Sequence, residues 1–533
     1  MPKLVICEKR NSASRISFIL SNGDAKREFI KRIPVWSFKR DGEDYFVIGL
    51  RGHIVGLDYP EEYNQWDKVD LRQLAVADPE KKVLAPSIVS TAEKVLKKAD
   101  EIIVATDYDR EGELIGVEFL DVLGESVARI PKKRARFSAL TKYEIERAFD
   151  NLTEIDYRLA ESAESRQMID LAWGASLTRF MSLATNKLGK DFLSVGRVQS
   201  PTLALIVDRE RKIEEFIPQS YWEVIAEFEK GIVFQAIHSH GRFWQEKEAK
   251  RVFNIAQSAE FGTVTDYYRK EERKRPPAPF DTTGFLAEAN KLGYSASRAM
   301  RVAEALYTGG LISYPRTDNT VYPKTLSLRR ILEKLKDSDL SKEVEEILKL
   351  ERLKPTRGKK FSTDHPPIHP VAGGRKEKLK KDEWRIYELI SRRFLATLAP
   401  DMILFLSEAT LDVNGEKFKA SGTLISEKGW LRYYPYHRIQ ETELPELLLE
   451  ENVPLREVSM IEGKTKPPPR YSQGALIREM ERLGLGTKST RHEIIQKLIR
   501  RKYVHGRHLK PTDSGIALIN ALEEHARQIT KPE

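Results

Sequence analysis

The period of hydrophobic and polar positions divides the chain into regions of different secondary structure. In the first 150 residues, the pattern predicts strands at 4–7, 45–50 and 102–105 and helices near 90–98, 111–123 and 141–150. Alternation of strands with helices is typical of an α/β unit built on a parallel sheet. We therefore expect an α/β domain at the start of the chain.

The pattern changes again beyond residue 150. A helical period covers 156–210 and returns at 281–396 and 472–502, whereas alternating runs at 220–268 and 401–460 predict β structure. A helical block is thus inserted between two β segments. With 533 residues, the chain is also too long for one hydrophobic core. We expect a multidomain protein with α/β, α and β parts.

Composition adds a preference for a polyanionic partner. The net charge is +10 and the pI is about 9.2, although 80 acidic residues share the surface with the excess of bases. No run of 18 apolar residues occurs, and the apolar stretch in MPKLVICEKR is too short for a signal peptide, so we expect a cytoplasmic protein. Cys7 is the only cysteine, which excludes a disulfide framework and a Cys₄ zinc site within this sequence.

The run ATDYDREGE, residues 105–113, concentrates carboxylates in a basic chain. It joins the predicted strand EIIVA to the predicted helix EGELIGVEFL, and open α/β sheets bind ligands where a strand ends and a helix begins. Asp107 and Asp109 alternate with Tyr108, so they point to one side of an extended segment, where their charges need a cation or a proton. With Glu111 they offer the hard oxygen ligands that suit Mg²⁺. The alternative is a solvated turn whose acids cap the next helix.

A second run, LISYPRTD at 311–318, contains a candidate nucleophile. Pro315 favours an extended backbone at Tyr314, and Arg316 is a permanent cation that binds phosphate oxygens bidentately. A phenol needs such help to attack phosphate, because its pKa is about 10 in water. Alone, a tyrosine beside an arginine is more typical of a core edge next to a surface charge.

These motifs, with others in the same order, closely resemble the type IA DNA topoisomerases, especially their archaeal members and topoisomerase III. LVICEK resembles the first strand of the family's Toprim domain, ATDYDREGE its acidic motif, and residues 279–318 the active-site tyrosine region. Further resemblances are SVGRVQSPTLALIVDRE, STDHPPIHP and PPPRYSQGALIREMERLGLGTKST. The matches run from residue 4 to about residue 490.

The resemblance implies a toroid in which an α/β Toprim domain, helical domains and a β arch surround a hole. The implied parts are a Toprim domain at 1–150, a helical DNA-binding base at 151–216 and 462–533, a β-rich arch at 217–278 and 397–461, and a helical gate at 279–396. A gate inserted between two β segments can swing on them as one unit.

The resemblance also implies residue roles. Tyr314 would attack a phosphodiester of single-stranded DNA, leaving a 5′-phosphotyrosyl enzyme and a free 3′ hydroxyl, so rejoining needs no ATP. The implied roles are phosphate binding for Arg316, Lys9 and His365 and protonation of the leaving oxygen for Glu8. Mg²⁺ on Asp107, Asp109 and Glu111 would position the strand for rejoining. For His365, filling space in a turn is the alternative.

The resemblance places DNA contacts outside the tyrosine site as well. They are Arg166, Asp170, Arg197, Gln199, Ser489 and Thr490. The first two are one helical turn apart, so a surface ion pair between them is the simpler alternative.

We therefore predict a Mg²⁺-dependent, ATP-independent type IA topoisomerase. Its expected substrates are single-stranded and negatively supercoiled DNA, and its expected state is a nucleoid-associated monomer assisted by a helicase or a single-strand-binding protein. Two alternatives are a Toprim nuclease or primase, which needs no tyrosine, and a single-strand binder that has lost cleavage. The presence of Glu8, Lys9, Tyr314 and Arg316 with the acidic motif argues against both.

Overall fold

The computed structural model describes residues 2–189 and 192–532. Its strands are β1 (Lys3–Cys7), β2 (Lys26–Ile30), β3 (Ile33–Arg40), β4 (Glu43–Gly49), β5 (Val55–Asp58), β6 (Glu80–Val83), β7 (Glu101–Ala105), β8 (Lys132–Arg134), β9 (Ser220–Lys230), β10 (Ile232–His238), β11 (Phe261–Lys274), β12 (Met402–Val413), β13 (Glu416–Glu427), β14 (Asn452–Lys464), β15 (Val504–His505) and β16 (Lys510–Pro511). Its α-helices are α1 (Arg10–Leu20), α2 (Pro86–Leu96), α3 (Arg110–Leu123), α4 (Lys142–Asp150), α5 (Tyr157–Ala184), α6 (Gln199–Glu214), α7 (Glu246–Gln257), α8 (Thr282–Lys291), α9 (Ala296–Thr308), α10 (Leu328–Leu335), α11 (Ser341–Leu348), α12 (Lys381–Leu398), α13 (Gln473–Arg482), α14 (Arg491–Arg500) and α15 (Asp513–Ala526).

The first sheet has the strand order β2-β3-β4-β1-β7-β8. β1 is central and runs parallel to both β4 and β7. Its side chains alternate between two cores, with Leu4 in one and Val5 in the other, which explains its unbroken apolar sequence. The register pairs Cys7 with Ala105. Residues that follow these two strands therefore leave the sheet at the same edge.

A closed antiparallel barrel has the strand order β10-β13-β12-β11-β14-β9. Three of its strands precede the helical block α8–α12 and three follow it, so the barrel is built from both predicted β segments. β14 continues to Lys464, beyond the predicted boundary at 461. The prediction of β structure throughout 220–268 is wrong for α7. Ala249, Val252 and Ala256 are buried at a helical spacing, and α7 packs against β9 and β14.

The segment that carries Tyr314 follows α9 and is not helical. Ile312 forms an antiparallel bridge with Pro370, and the Ser313 amide donates a 2.9 Å hydrogen bond to the carbonyl oxygen of His369. The STDHPPIHP segment therefore fixes the backbone on which the predicted nucleophile stands.

The predicted helical region at 472–502 is divided into α13 and α14. Gly484 and Gly486 lie between these helices with φ of 69° and 66°, a left-handed conformation that favours glycine and ends a helix. α13 packs against α8 of the inserted block. Within the described ranges, no helix is both long and apolar enough to cross a membrane.

Candidate active site

The shared edge of β1 and β7 brings most of the predicted site residues together. Glu8 and Lys9 follow β1 directly. Asp107 and Asp109 lie in the turn between β7 and α3. Tyr314 reaches the same edge from the helical block, and its hydroxyl donates a hydrogen bond of 2.5 Å to Oδ2 of Asp109. A candidate nucleophile therefore meets the acidic motif directly.

Tyr314 is almost fully buried, with 3% of its surface exposed. Its amide donates to the carbonyl oxygen of Ser138 over 2.9 Å, and its ring centroid lies 4.6 Å from that of His365. Burial raises the pKa of Tyr314 well above its usual value and the charge of Asp109 raises it further, whereas Arg316 opposes the rise. The phenol is therefore protonated here, and Asp109 is placed to accept its proton.

The turn that carries the acids is held by short backbone contacts. Asp109 caps α3, because its carboxylate accepts a 2.8 Å hydrogen bond from the Gly112 amide. The Thr106 hydroxyl donates to the Gly112 carbonyl oxygen over 2.7 Å. A Cβ at position 112 would lie 2.1 Å from the carbonyl oxygen of Asp107, so only glycine fits there. Asp109 thus caps a helix, which was the alternative to metal binding in the sequence, and it also contacts the candidate nucleophile.

A buried ion pair supports this turn from within the protein. Arg134 and Glu113 are both fully buried, and the Arg134 Nε lies 2.7 Å from Oε2 of Glu113. The same guanidinium donates to the carbonyl oxygens of Val104 (3.2 Å), Ala135 (2.6 Å) and Asp107 (3.0 Å). This pair was not predicted from the sequence, in which Arg134 is one of four basic residues in the run KKRAR.

Asp107 is buried in the turn of the acidic motif. It accepts a 3.0 Å hydrogen bond from the hydroxyl of Tyr307, a residue that the sequence analysis missed. Burial raises the pKa of Asp107 well above its usual value and the charge of Glu8 adds to the rise, whereas Lys9 opposes it. Lys9 Nζ lies 3.0 Å from Oε1 of Glu8. A proton or a bound cation at Asp107 would relieve this excess of acid.

Glu111, the third predicted metal ligand, contacts a histidine. His53 Nε2 lies 3.3 Å from Oε2 of Glu111, and His53 Nδ1 lies 2.8 Å from Oε2 of Glu118. Burial acts against the charge of His53, but its hydrogen bonds to the two carboxylates outweigh burial and raise its pKa to about 10. His53 is therefore a cation at neutral pH. No pattern in the sequence connected it with the acidic motif.

The donor set at this edge fits a hard divalent cation. In the part of the chain that the structure describes, no three His, Cys, Asp or Glu side chains form a ready-made metal cage. Mg²⁺ does not require one, because it commonly uses one or two carboxylates and completes its shell with water and substrate phosphate. Asp107, Asp109 and Glu111 are the carboxylates at this edge that could supply such oxygen ligands.

Arg316 is held close to the nucleophile. Its guanidinium contacts the carboxylate of Glu304. Burial acts against the Arg316 charge, but Tyr314 and Glu304 outweigh it and raise the pKa of Arg316. Its buried Nε has no hydrogen-bond partner within the described residues. A buried donor without an acceptor is costly, so the position suits an anionic ligand.

His365 uses both ring nitrogens inside the protein. Nε2 donates to the carbonyl oxygen of Tyr108 over 2.6 Å, and Nδ1 accepts from the Ser138 hydroxyl over 2.9 Å. Burial lowers the pKa of His365 to about 4, so the ring is neutral at pH 7. In this arrangement His365 packs against Tyr314 and ties the acidic turn to the helical block.

A basic cluster lies along α5 and beside the turn that precedes α14. Asp170 lies between two arginines, 3.6 Å from Nε of Arg166 and 3.1 Å from Nε of Arg197. Arg166 also donates to the Thr490 hydroxyl over 3.4 Å. Trp173, 37% exposed, lines a cavity of about 460 Å³ with both arginines. Arginines beside an exposed aromatic ring are suited to single-stranded nucleic acid.

Two predicted DNA contacts occupy different environments. Gln199 is 2% exposed, and its amide donates to the carbonyl oxygen of Ser194 over 2.9 Å, so a direct contact with DNA is not available to it here. The sequence could not show that the first residue of α6 faces the core. Ser489 is half-buried next to Thr490, in the turn that precedes α14.

Comparison with known families matches almost the whole chain. A family model described as DNA topoisomerase matches residues 154–533, and a second, described as Toprim domain, matches residues 3–140. The matches divide the chain between the sheet that carries the acids and the regions that carry the tyrosine and the basic cluster.

Individual relatives match over the same length. The chain is 46% identical over 533 residues to DNA topoisomerase 1 of Archaeoglobus fulgidus, covering 100% of this chain and 79% of that protein. It is 44% identical over 531 residues to DNA topoisomerase 1 of Thermoplasma acidophilum, covering 100% of this chain and 68% of that protein. Among solved structures, full-length topoisomerase I from Thermotoga maritima matches with a TM-score of 0.77 and 27% identity, over 99% of this chain and 84% of that one.

Proposed function

The chain belongs to the type IA DNA topoisomerases, isomerases that act on DNA, and from that premise we propose that it cuts one strand with Tyr314, passes another strand through the break and rejoins the first. The reaction uses Mg²⁺ and no ATP. It relaxes negatively supercoiled DNA or unlinks single-stranded regions.

One contact carries this proposal: the hydroxyl of Tyr314 donates to Asp109 within an edge that also holds Arg316. As the phenol oxygen bonds to phosphorus, its proton passes to Asp109. The bond from phosphorus to the 3′ oxygen breaks, and that oxygen takes a proton from Glu8. Arg316 binds the phosphate oxygens while charge develops on them. Because one phosphoester replaces another, the reverse reaction needs no energy source.

Other residues prepare these steps. Lys9, paired with Glu8, supplies a second cation near the phosphate. His365 holds the tyrosine ring in place through its contacts with Tyr108 and Ser138. Mg²⁺ held by Asp107, Asp109 and Glu111 would neutralise their charge and hold the broken strand for rejoining.

The route of the DNA follows from the basic cluster. Arg166 and Arg197 bind strand phosphates, Trp173 stacks on an unpaired base, and Asp170 orients the two arginines. The block at 279–396 is the gate, which swings on the barrel while the base at 151–216 and 462–533 keeps one DNA end. A monomer is sufficient for this cycle, with a helicase or a single-strand-binding protein supplying unpaired DNA.

A relaxation assay tests the proposal. Negatively supercoiled plasmid incubated with Mg²⁺ and no ATP is expected to yield a ladder of closed topoisomers, and Tyr314→Phe is expected to yield none. A Toprim nuclease would instead give nicked or linear DNA with both proteins. A binding protein without catalysis would leave the plasmid unchanged with both.

A further inference from the structure

A cavity of about 410 Å³ lies next to the tyrosine site but is separate from it. Its walls come from α4 of the Toprim region and from residues 319–334 and 361–371 of the helical block. His365 lines this cavity and also packs against Tyr314, so the imidazole lies between the cavity and the nucleophile. Its volume lies in the range of small-molecule sites, about 300–1,000 Å³.

Three cations line the cavity, one from the Toprim region and two from the helical block. Arg147 lies on α4, and Arg330 and Lys334 lie one turn apart on α10. In the described part of the chain, none of the three forms an ion pair with a carboxylate. Of the two acids in the lining, Asp364 is paired with Lys488, which leaves Glu144 as the opposing charge. The cationic excess favours an anion.

The same cavity presents exposed aromatic surface. Phe361 is 64% exposed and Tyr143 is 47% exposed. The guanidinium of Arg330 lies 4.4 Å from the ring centroid of Tyr143 and so bridges α10 and α4. Large exposed aromatic side chains beside unpaired cations are suited to a ligand that carries both a flat ring and a phosphate.

We propose that this cavity binds a free mononucleotide, with its phosphate on Arg147, Arg330 and Lys334 and its base against Tyr143 and Phe361. A bound nucleotide bridges α4 and α10. This inference rests on the proposed function, in which the helical block swings away from the Toprim region. The bound nucleotide therefore holds the gate closed. Cleavage of a short single strand does not require the gate to open, so the nucleotide inhibits strand passage and leaves cleavage intact.

Binding is tested by titrating dAMP into the full chain by isothermal calorimetry. Adenosine, which lacks the phosphate, and inorganic phosphate, which lacks the base, are titrated in parallel. We expect dAMP to bind at least about tenfold more tightly than either fragment, because each supplies only part of the contact. The double variant Arg330→Ala, Lys334→Ala is expected to weaken dAMP binding about tenfold or more, since charged hydrogen bonds are lost. Arg329→Ala is the matched control, because Arg329 is exposed on the same helix but does not line the cavity.

Activity then separates this inference from the proposed function. We expect dAMP to slow plasmid relaxation by the wild type and not by the double variant, while cleavage of a single-stranded oligonucleotide is unaffected. The inference is overturned if dAMP does not bind, or if the double variant binds dAMP as the wild type does. It is also overturned if the double variant loses only oligonucleotide binding, or if dAMP inhibits cleavage and relaxation equally. A wild type that fails to relax plasmid without any nucleotide would instead contradict the proposed function.

Discussion

The hydroxyl of Tyr314 donates a 2.5 Å hydrogen bond to Asp109, a residue 205 positions earlier in the chain. The same carboxylate caps α3 through the Gly112 amide. One side chain therefore fixes the start of a helix and the orientation of the nucleophile, and it links the Toprim region to the inserted helical block. Several consequences can be measured.

Replacing Asp107 with asparagine is expected to stabilise the protein when no metal is bound. The folded state raises the Asp107 pKa above its unfolded value, so its native carboxylate becomes less favourable as pH rises through that window. Asparagine keeps an oxygen for the Tyr307 hydroxyl and carries no charge. We expect Asp107→Asn to gain about 1 kcal/mol in free energy of unfolding at pH 8.

Urea unfolding in EDTA at pH 8 and pH 5 measures this effect. The advantage of Asp107→Asn should shrink at the lower pH, because the raised pKa of the wild-type carboxyl leaves more of it protonated there. Asp24→Asn, at an exposed acid, is the control and should show no such gain. If wild type and Asp107→Asn differ equally in free energy of unfolding at both pH values, the buried charge of this carboxylate does not destabilise the protein.

Gly112→Ala is expected to displace the acidic turn. The added Cβ would meet the Asp107 carbonyl oxygen at 2.1 Å, and backbone atoms cannot move aside as a flexible side chain can. We expect a loss of stability of about 2 kcal/mol and a loss of covalent adduct. Gly174→Ala is the matched control. Gly174 lies within α5, and a Cβ there would be 3.8 Å from the nearest atom, the carbonyl oxygen of Val195. Alanine at this position should therefore raise the free energy of unfolding by roughly 0.5–1 kcal/mol. Thermal unfolding of both variants measures the contrast, and equal effects would refute the steric account.

Arg134→Ala is expected to cost about 3–5 kcal/mol, because it leaves the buried Glu113 carboxylate unpaired. Arg134→Met combined with Glu113→Gln should recover part of the loss, since no buried charge remains. The comparison is Arg72→Ala, which removes an exposed ion pair with Asp70 and should cost far less, because solvent screens that pair. Urea unfolding of the three variants gives the values. A loss at Arg134 no larger than at Arg72 would mean that the pair does not stabilise the turn.

The family and the toroidal class of fold were predictable from the sequence, and both predictions are confirmed. The strands at the centre of the first sheet were also predictable, because they are apolar runs bounded by turns. Helix α7 was missed because its charged outer face obscured the buried positions Ala249 and Val252. The division into domains stays a prediction.

The candidate site was predictable only where a motif is local. The acids of ATDYDREGE and the residues of LISYPRTD each stand close together in the chain. Arg134, His53 and Tyr307 reach the site through contacts that depend on the fold, and nothing in their own surroundings distinguishes them from ordinary core or surface residues. Gln199 shows the converse, since a residue expected on the DNA surface is buried.

Removal of metal is expected to separate cleavage from rejoining. The attack by Tyr314 uses Asp109 and Arg316, whereas rejoining needs the broken strand held near the acids. In EDTA, adduct on a single-stranded oligonucleotide should still form, while rejoining slows by about tenfold or more. Single-turnover assays of both steps, with Mg²⁺ restored as the control, measure the ratio. Equal slowing of the two steps would contradict separate roles for tyrosine and metal.

The central claim is that Tyr314 becomes covalently joined to DNA. Single-stranded DNA labelled on the side 3′ of the cleavage site is incubated with wild type and with Tyr314→Phe, and the protein is then denatured. Phenylalanine keeps the packing of the ring against His365, so the variant should remain folded. We predict label bound to the wild type and absent from the variant. Cleavage by both proteins without bound label would contradict the account and indicate a Toprim nuclease.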